Sequence, residues 1–139
     1  MKKILFLCTG NSCRSQMAEG FGKHLLGADY EVYSAGTKTH GLNPNAVKVM
    51  SEIGIDISTH KSKTTSDIPG DMDLVVTVCS DADENCPYFP AARIVHRGFD
   101  DPPRETVDFK DEDQILEVYR RVRDEIKDFV SNLKSELKI

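Results

Sequence analysis

Short apolar runs alternate with longer segments of helical periodicity along the chain. The run from Asp73 to Cys79 is rich in β-branched residues and lacks strict alternation, which is typical of a central parallel strand covered on both faces. Shorter apolar runs predict three further strands, over 3–8, 31–34 and 93–96. Apolar stripes at a spacing of about 3.6 residues predict three helices, over 15–27, 44–54 and 111–137, with Asn43 as the cap of the second.

The order of these elements predicts the fold class. Strands that alternate with helices indicate an α/β protein, here a three-layer sandwich in which a four-stranded parallel sheet is flanked by helices. A chain of 139 residues is of ordinary size for one domain, and we assign residues 1–139 to it. We expect loops over 58–70, with one helical turn, and over 97–110, and a short extended piece at Ile55 and Ile57.

Composition and charge narrow the classes of function. The chain carries 23 acidic and 18 basic residues, a formal net charge of -5, which argues against a nucleic-acid binder but is compatible with a local anion site. No apolar run reaches the roughly 18 residues that a membrane span needs. The apolar stretch before Cys8 is also too short for a secretory signal, so we expect a cytoplasmic protein, and a monomer.

Four cysteines, Cys8, Cys13, Cys79 and Cys86, carry the candidate thiol chemistry. In a reducing compartment, cysteines point more often to catalysis, metal binding or packing than to structural disulfides. Their spacings, C-x4-C and C-x6-C, differ from the C-x2-C pairs of zinc sites. The four histidines show no metal-ligand spacing either, so we predict no metal site.

The segment from Cys8 to Ser15 reads C-x5-R-S and lies between a predicted strand and a predicted helix. Backbone N–H groups at the start of a helix, together with the helix dipole, can bind a tetrahedral oxyanion. Arg14 adds a planar fork for two oxyanion oxygens, and Gly10 is expected to adopt backbone angles that other residues resist. We therefore assign oxyanion binding to Thr9, Gly10, Asn11, Ser12, Cys13 and Arg14.

Cys8, at the base of this loop, is the candidate nucleophile. The positive field of the loop is expected to lower the pKa of its thiol, and Ser15 can donate its hydroxyl to the resulting thiolate. Cys13 is better explained as a small buried packing residue. The alternative is a buried strand-end cysteine beside an ordinary surface arginine, but the position of the pattern between strand and helix favours the anion site.

The loop resembles the phosphate-binding loop of low-molecular-weight protein tyrosine phosphatases. Its longer form, CTGNSCRSQMAEG at 8–20, is more similar to the thioredoxin-coupled arsenate reductases built on that fold. Three later segments agree with this resemblance and occur in the expected order: YSAG at 33–36, HGLNPNA at 40–46 and GFDDP at 98–102. The resemblance therefore extends over nearly the whole chain.

The resemblance implies a triple-cysteine reduction of arsenate to arsenite in arsenic detoxification. Cys8 would attack arsenic, Cys79 would attack Cys8 and release arsenite, and Cys86 would form the final disulfide with Cys79 for thioredoxin to reduce. Thioredoxin is then the external reductant, with no tightly bound cofactor, and phosphate and sulfate are substrate analogues. A weak phosphatase activity is expected as well. Without the resemblance, a buried Cys79 and an incidental exposed Cys86 remain an alternative.

The Asp101-Pro102 motif matches the general acid of the family, which protonates the leaving oxygen. Its neighbour Asp100 is the weaker candidate for this role. An Asp-Pro pair also begins many turns, and the residues alone favour that interpretation, whereas the resemblance favours the acid.

Many of the reductases that the chain resembles bind a potassium ion beside the anion loop. The matching ligand positions here are Asn11, Glu19 and Ser34, whereas the position of the family's aspartate falls on Lys63. Lysine cannot ligate a cation, but its ammonium can occupy the place of the ion beside Glu19. The alternative is a solvated surface lysine, and in both cases we predict no functional potassium site.

Two other functions would use parts of the same motif. A low-molecular-weight tyrosine phosphatase needs only Cys8, Arg14 and Asp101, but PRE at 103–105 stands where phosphatases carry aromatic residues that grip a phenyl ring. A non-catalytic oxyanion or redox switch protein would not need Asp101. Turnover of arsenate with thioredoxin, compared with hydrolysis of a phosphate ester, distinguishes the three functions.

Overall fold

The computed structural model describes residues 2–78 and 89–137 of the chain. Strands and helices follow one another as the apolar pattern predicts. In chain order the elements are β1 (Lys2–Cys8), α1 (Arg14–Leu26), β2 (Tyr30–Gly36), α2 (Pro44–Ser51), a 3-10 turn (Thr65–Asp67), β3 (Met72–Thr77), β4 (Ala91–His96), α3 (Pro102–Glu105), α4 (Glu112–Ser131) and α5 (Leu133–Leu137).

The four strands form one parallel sheet in the order β2-β1-β3-β4. β3 is thus a central strand, as its β-branched run predicts. Successive side chains of β1 point to opposite faces of the sheet, with Ile4 and Phe6 in the larger apolar cluster and Leu5 in the smaller one. The larger cluster includes residues of α1, α2 and α4, and the smaller one packs against Ile68 and Phe89. The predicted four-stranded parallel sheet with flanking helices is confirmed.

α4 covers the larger cluster with an apolar face that follows the helical period. Its buried apolar residues are Leu116, Tyr119, Val122, Ile126 and Val130. Arg123 is the charged exception on this face, and it donates to the Val49 carbonyl at 2.9 Å and to Glu52 at 3.0 Å. Because Val49 and Glu52 lie at the end of α2, this buried guanidinium links the two helices.

The C-terminal helix is interrupted, where a single helix over 111–137 was predicted. α4 ends at Ser131 and α5 begins at Leu133. Asn132 lies between them, and its side-chain amide donates to the carbonyl of Asp128 at 2.9 Å. An asparagine that bonds to the preceding turn in this way offers the backbone an alternative to the helix, which explains the interruption.

Other boundaries also differ from the prediction. β3 ends at Thr77, two residues before its predicted end at Cys79. The loop predicted over 97–110 contains α3, with Pro102 in the first helical position, where a missing N–H costs nothing. The residues from Ile55 to Ile57, predicted as a short extended piece, belong to no strand of the sheet. The predicted helical turn within 58–70 is confirmed, and so is the cap of α2 by Asn43.

The segments that follow three strands converge at the carboxyl edge of the sheet. The Val78 N–H donates to the carbonyl of Leu7 at 2.9 Å, so pairing continues up to the end of β1. The N–H of Phe99, in the segment after β4, donates to the Val78 carbonyl at 3.4 Å. Such an edge is where parallel sheets usually bind ligands. Within the described parts of the chain, no helix combines the length and apolarity that a membrane crossing needs.

Candidate active site

The C-x5-R-S segment forms one wall of a cleft of about 410 Å³ at this edge of the sheet. Cys8 is the last residue of β1, Arg14 is the first residue of α1, and both are buried. The residues that line the cleft are Cys8, Thr9, Gly10, Ser12, Cys13, Arg14, His40, Asn43, Asp101 and Pro103. The structure therefore brings the predicted nucleophile, arginine and acid together in one cavity.

Carbonyl groups at the edge of the sheet hold Arg14 in a fixed orientation. Its Nη1 donates to the Phe99 carbonyl at 2.9 Å and to the Val78 carbonyl at 3.4 Å. Its Nη2 lies 3.8 Å from Oδ1 of Asp101, and the side chain is only 4% exposed. A guanidinium that is buried and aimed in this way interacts more strongly with a bound anion than one in bulk water.

The helix behind the loop, α1, begins without a side-chain cap. Cys13 is the N-cap residue, and within residues 13–17 its side chain makes no capping hydrogen bond. The first turn of α1 contains no acidic residue. A helix start of this kind is suited to binding a tetrahedral anion through its backbone N–H groups. Burial, followed by the nearby Asp101 carboxylate, raises the pKa of the Cys13 thiol well above its usual value, which agrees with a packing role.

Asn11 is the centre of a hydrogen-bond network behind the loop. Its φ of 47° lies in the left-handed region, which asparagine tolerates better than most residues. Its Nδ2 donates to Ser15 Oγ and to Ser34 Oγ, both at 2.9 Å. Its Oδ1 accepts from Gln16 Nε2 at 2.9 Å and from the Lys63 N–H at 2.7 Å. Asn11 and Ser15 are fully buried, so these two predicted site residues support the cleft from behind instead of lining it.

Gly10 serves a purpose that the sequence analysis did not predict. The positive φ within the loop belongs to Asn11 and not to Gly10, so the expected unusual backbone angle at Gly10 is wrong. A Cβ atom built on Gly10 would lie 2.8 Å from Cγ of His40, and closer still to Nδ1. A glycine at this position leaves room for the imidazole of His40, which lies over it.

A second segment of chain, the one after β2, runs along the anion loop. The His40 N–H donates to the Gly10 carbonyl at 3.1 Å, and the Asn43 N–H donates to the Ser12 carbonyl at 3.0 Å. Asn43 Nδ2 donates to the hydroxyl of Tyr119 in α4 at 3.2 Å. Sequence reasoning found Asn43 only as a helix cap and missed its contact with the loop, because no local pattern marks a pairing over this distance.

Glu19 is a buried carboxylate behind the loop and is surrounded by basic side chains. Nζ of Lys23 lies 2.7 Å away, Nζ of Lys63 3.3 Å and Nδ1 of His60 3.6 Å, and the Ser34 hydroxyl also donates to it. Burial opposes ionisation, but the hydrogen bonds from Lys23 and Ser34 and the charges of Lys63 and His60 outweigh it and lower the pKa of Glu19. The Lys63 ammonium thus lies beside Glu19, and the alternative of a solvated surface lysine is wrong.

The two neighbouring aspartates point to different parts of the molecule. Asp101 is the N-cap residue of α3, yet within residues 101–105 its carboxylate caps no N–H group, and it faces Arg14 in the cleft. Asp100 pairs with Arg121 of α4, with 3.1 Å between Oδ2 and Nη1. This placement favours Asp101 over Asp100 as the acid.

The remaining predicted site residues, Cys79 and Cys86, lie outside the described residues. Their roles and their pairing with Cys8 therefore stay predictions. Among the residues that the structure does describe, no group of three His, Cys, Asp or Glu side chains is placed to hold a metal ion.

Comparison with known proteins agrees with this geometry. The sequence model of the low molecular weight phosphotyrosine protein phosphatase family matches residues 3–139. An arsenate reductase of Shouchella clausii is 56% identical over 127 residues, which cover 90% of this chain and 89% of the relative. Arsenate reductase 1 of Staphylococcus haemolyticus is 52% identical over 139 residues, 98% of this chain and 97% of the relative.

Among solved structures, an arsenate reductase in the phosphate binding state superimposes with a TM-score of 0.76 at 34% identity, and 98% of each chain is covered. The match of the family model, the similarity of the relatives and the shared fold all extend over most of the chain. This protein therefore belongs to the low molecular weight phosphotyrosine protein phosphatase family.

Proposed function

We propose that this protein is an arsenate reductase. The observation that carries the proposal is the cleft in which the Cys8 thiol, the Arg14 guanidinium and the Asp101 carboxylate meet beside the uncapped start of α1. Such a site suits a tetrahedral oxyanion. The arsenate reductases at 52% and 56% identity support arsenate as that oxyanion.

The first step joins the substrate to Cys8. The thiolate attacks arsenic, an S–As bond forms, and one arsenate oxygen takes up protons and leaves as water. Asp101 is the acid for this oxygen, and Arg14 with the loop N–H groups stabilises the charge on the others. Ser15 Oγ accepts from Asn11 Nδ2, which leaves its own proton for another acceptor, and we assign that acceptor to the Cys8 thiolate.

The following steps transfer two electrons from thiols to arsenic. The Cys79 thiolate attacks the Cys8 sulfur, the S–As electron pair goes to arsenic, and arsenite leaves in the +3 state. Cys86 then attacks Cys79, which releases Cys8 as a thiolate and leaves a Cys79–Cys86 disulfide. A thioredoxin dithiol reduces this disulfide and is itself oxidised, so the protein needs no bound redox cofactor.

Two features favour a reductase over a phosphatase. Ester hydrolysis needs no thiol besides Cys8, whereas this chain also contains Cys79 and Cys86. Among the described residues that line the cleft there is no Phe, Tyr or Trp ring, and Pro103 stands at its rim. A cleft of this kind suits an inorganic oxyanion better than a phenyl ester. Because thioredoxin works in a reducing compartment, we place the protein in the cytoplasm. We expect it to act as a monomer.

The test is arsenite production from arsenate with thioredoxin, thioredoxin reductase and NADPH, measured beside hydrolysis of a phosphate ester. We expect sustained turnover of arsenate and only weak ester hydrolysis. Cys8→Ser should abolish both activities, because a serine hydroxyl does not ionise in this field as a thiol does.

Variants of the other two cysteines separate the proposed roles. Cys79→Ser and Cys86→Ser should lose multiple turnover of arsenate but keep the weak ester hydrolysis. Equal loss of both activities in Cys79→Ser would contradict this division of roles. Strong ester hydrolysis without arsenite would identify a phosphatase, and oxyanion binding without any turnover would identify a switch protein.

A further inference from the structure

We propose that His40 is a substrate-binding residue whose imidazole, seated on Gly10, donates a hydrogen bond to the bound oxyanion from the rim of the cleft. The proposal rests on the proposed function only in taking an oxyanion as the ligand. It adds to the site a donor that lies outside the C-x5-R-S segment.

The position of His40 is fixed at the backbone while its side chain remains exposed. Its N–H donates to the Gly10 carbonyl at 3.1 Å. Two residues earlier, the Lys38 N–H donates to the Thr9 carbonyl, and three residues later the Asn43 N–H donates to the Ser12 carbonyl. The imidazole covers Gly10 and lines the same cleft as Cys8. The ring is therefore held at the rim by its main chain and by contact with a residue that has no side chain.

The ring nitrogens of His40 differ from those of two other histidines in the described parts of the chain. Within residues 2–78 and 89–137, no hydrogen bond or ion pair involves its imidazole, whereas Nδ1 of His60 contacts Gln16 and Nδ1 of His96 contacts Thr77. An imidazole has at least one N–H donor in every protonation state. This donor is thus available to a ligand in the cleft.

The charges in the cleft explain why a donor at the rim would strengthen anion binding. Arg14 serves the inner part of the site, where it is buried against two carbonyl groups. Asp101 is partly exposed in the same cleft, and its carboxyl group repels an anion whenever it is not protonated. A donor on the rim offsets this repulsion and strengthens binding of an anion before any bond to Cys8 forms. We therefore expect His40 to act on KM and not on kcat.

The contact between His40 and Gly10 offers an independent way to move the ring. A methyl group on Gly10 would collide with the imidazole, which is the flexible partner and must leave its place. Gly10→Ala should then weaken anion binding by displacing His40. Once His40 is already absent, the same methyl group should have little further effect, and a double-mutant cycle measures this coupling.

The experiment measures sulfate binding to the reduced protein by calorimetry and arsenate reduction by the thioredoxin assay. His40→Leu keeps bulk over Gly10 and removes the donor, so the Kd for sulfate and the KM for arsenate should rise about 10-fold, with kcat within about twofold. His40→Gln keeps a neutral donor and should lie between wild type and His40→Leu. His24→Leu, an exposed residue of α1, is the matched control and should change neither constant.

The cycle uses Gly10→Ala, His40→Ala and the double variant. Gly10→Ala should reproduce most of the rise in Kd seen in His40→Ala, and the double variant should bind sulfate about as well as His40→Ala. Additive effects, an unchanged Kd in His40→Leu, or a loss confined to kcat would each overturn the proposal. If the wild type itself neither binds sulfate nor reduces arsenate, the proposed function fails instead.

Discussion

The cleft has a floor and a rim that differ in how they are built. The floor is the anion loop, with Arg14 buried and Asn11 hydrogen-bonded to four partners behind it. The rim contains exposed or partly exposed groups, and the ion pair that anchors one side of it, Asp100 with Arg121, has side chains 51% and 47% exposed. A buried network holds its charges in place before the ligand arrives, whereas exposed ion pairs contribute little. Changes in the floor should thus affect both stability and activity, and changes in the rim activity alone.

The largest effect should come from the floor. Arg14→Lys replaces a planar fork by a single ammonium, which cannot offer two parallel N–H groups to an oxyanion while it also bonds to the Phe99 and Val78 carbonyls. We expect kcat/KM for arsenate to fall by about 10²- to 10³-fold. Arg104→Lys, an exposed position on α3, is the control and should retain full activity. A loss below about fivefold in Arg14→Lys would show that the loop N–H groups suffice.

The rim should show its largest effect at Asp101. Asp101→Asn removes the proton donor and should lower kcat by about 10²-fold, with an unchanged midpoint of thermal unfolding. Asp100→Asn breaks only the contact with Arg121 and should reduce kcat by less than about threefold. Steady-state assays and thermal unfolding of both variants test this. Similar losses of kcat in the two variants would mean that kcat depends on the Asp100–Arg121 pair and not on an acid at Asp101.

Variants of Asn11 separate two contributions to the stability of the floor, the side-chain hydrogen bonds of this residue and its left-handed backbone angle. Asn11→Gly tolerates the φ of 47° but deletes the side-chain hydrogen bonds, so the free energy of unfolding should fall by about 2–3 kcal/mol. Asn11→Ala should lose about 1 kcal/mol more, since alanine is strained in the left-handed region. Urea denaturation measures both values. Equal stability of the two variants would show that the backbone angle relaxes when the side chain is lost.

The smallest effect concerns the cations behind the floor. Because the Lys63 ammonium lies 3.3 Å from Glu19, the activity in potassium and in a large organic cation at equal ionic strength should agree within about twofold. A several-fold increase in kcat/KM that is specific to potassium would show that an ion competes with Lys63 for this place.

The sequence predicts those features that depend on neighbouring residues. The loop from Cys8 to Ser15, the cap of α2 and the central position of β3 all follow from local spacing or from runs of residue types. The parts it missed are contacts over long separations, such as His40 over Gly10 and Asp100 with Arg121. These depend on how loops are folded against the sheet, and no periodic pattern encodes them.

Two predictions were wrong because a single residue behaves differently from what the general rule for its surroundings predicts. The apolar stripe of the last helix continues past Asn132, so a pattern count extends the helix, whereas the asparagine side chain interrupts it. In the loop, the rule that glycine marks an unusual φ assigned that role to Gly10, although Asn11 has it. Glycine can also be needed for a close approach, and only the structure shows that His40 makes one.

The missing cap of α1 has a consequence for the stability of the whole protein. Since the side chain of Cys13 does not cap the helix, an oxyanion bound in the cleft as proposed would accept hydrogen bonds at the start of α1 and would stabilise the folded structure. A ligand that binds only the native state adds about 2.7 kcal/mol at a concentration 100 times its Kd. If phosphate competes with arsenate for the proposed site, arsenate must displace an ion that also stabilises the folded protein.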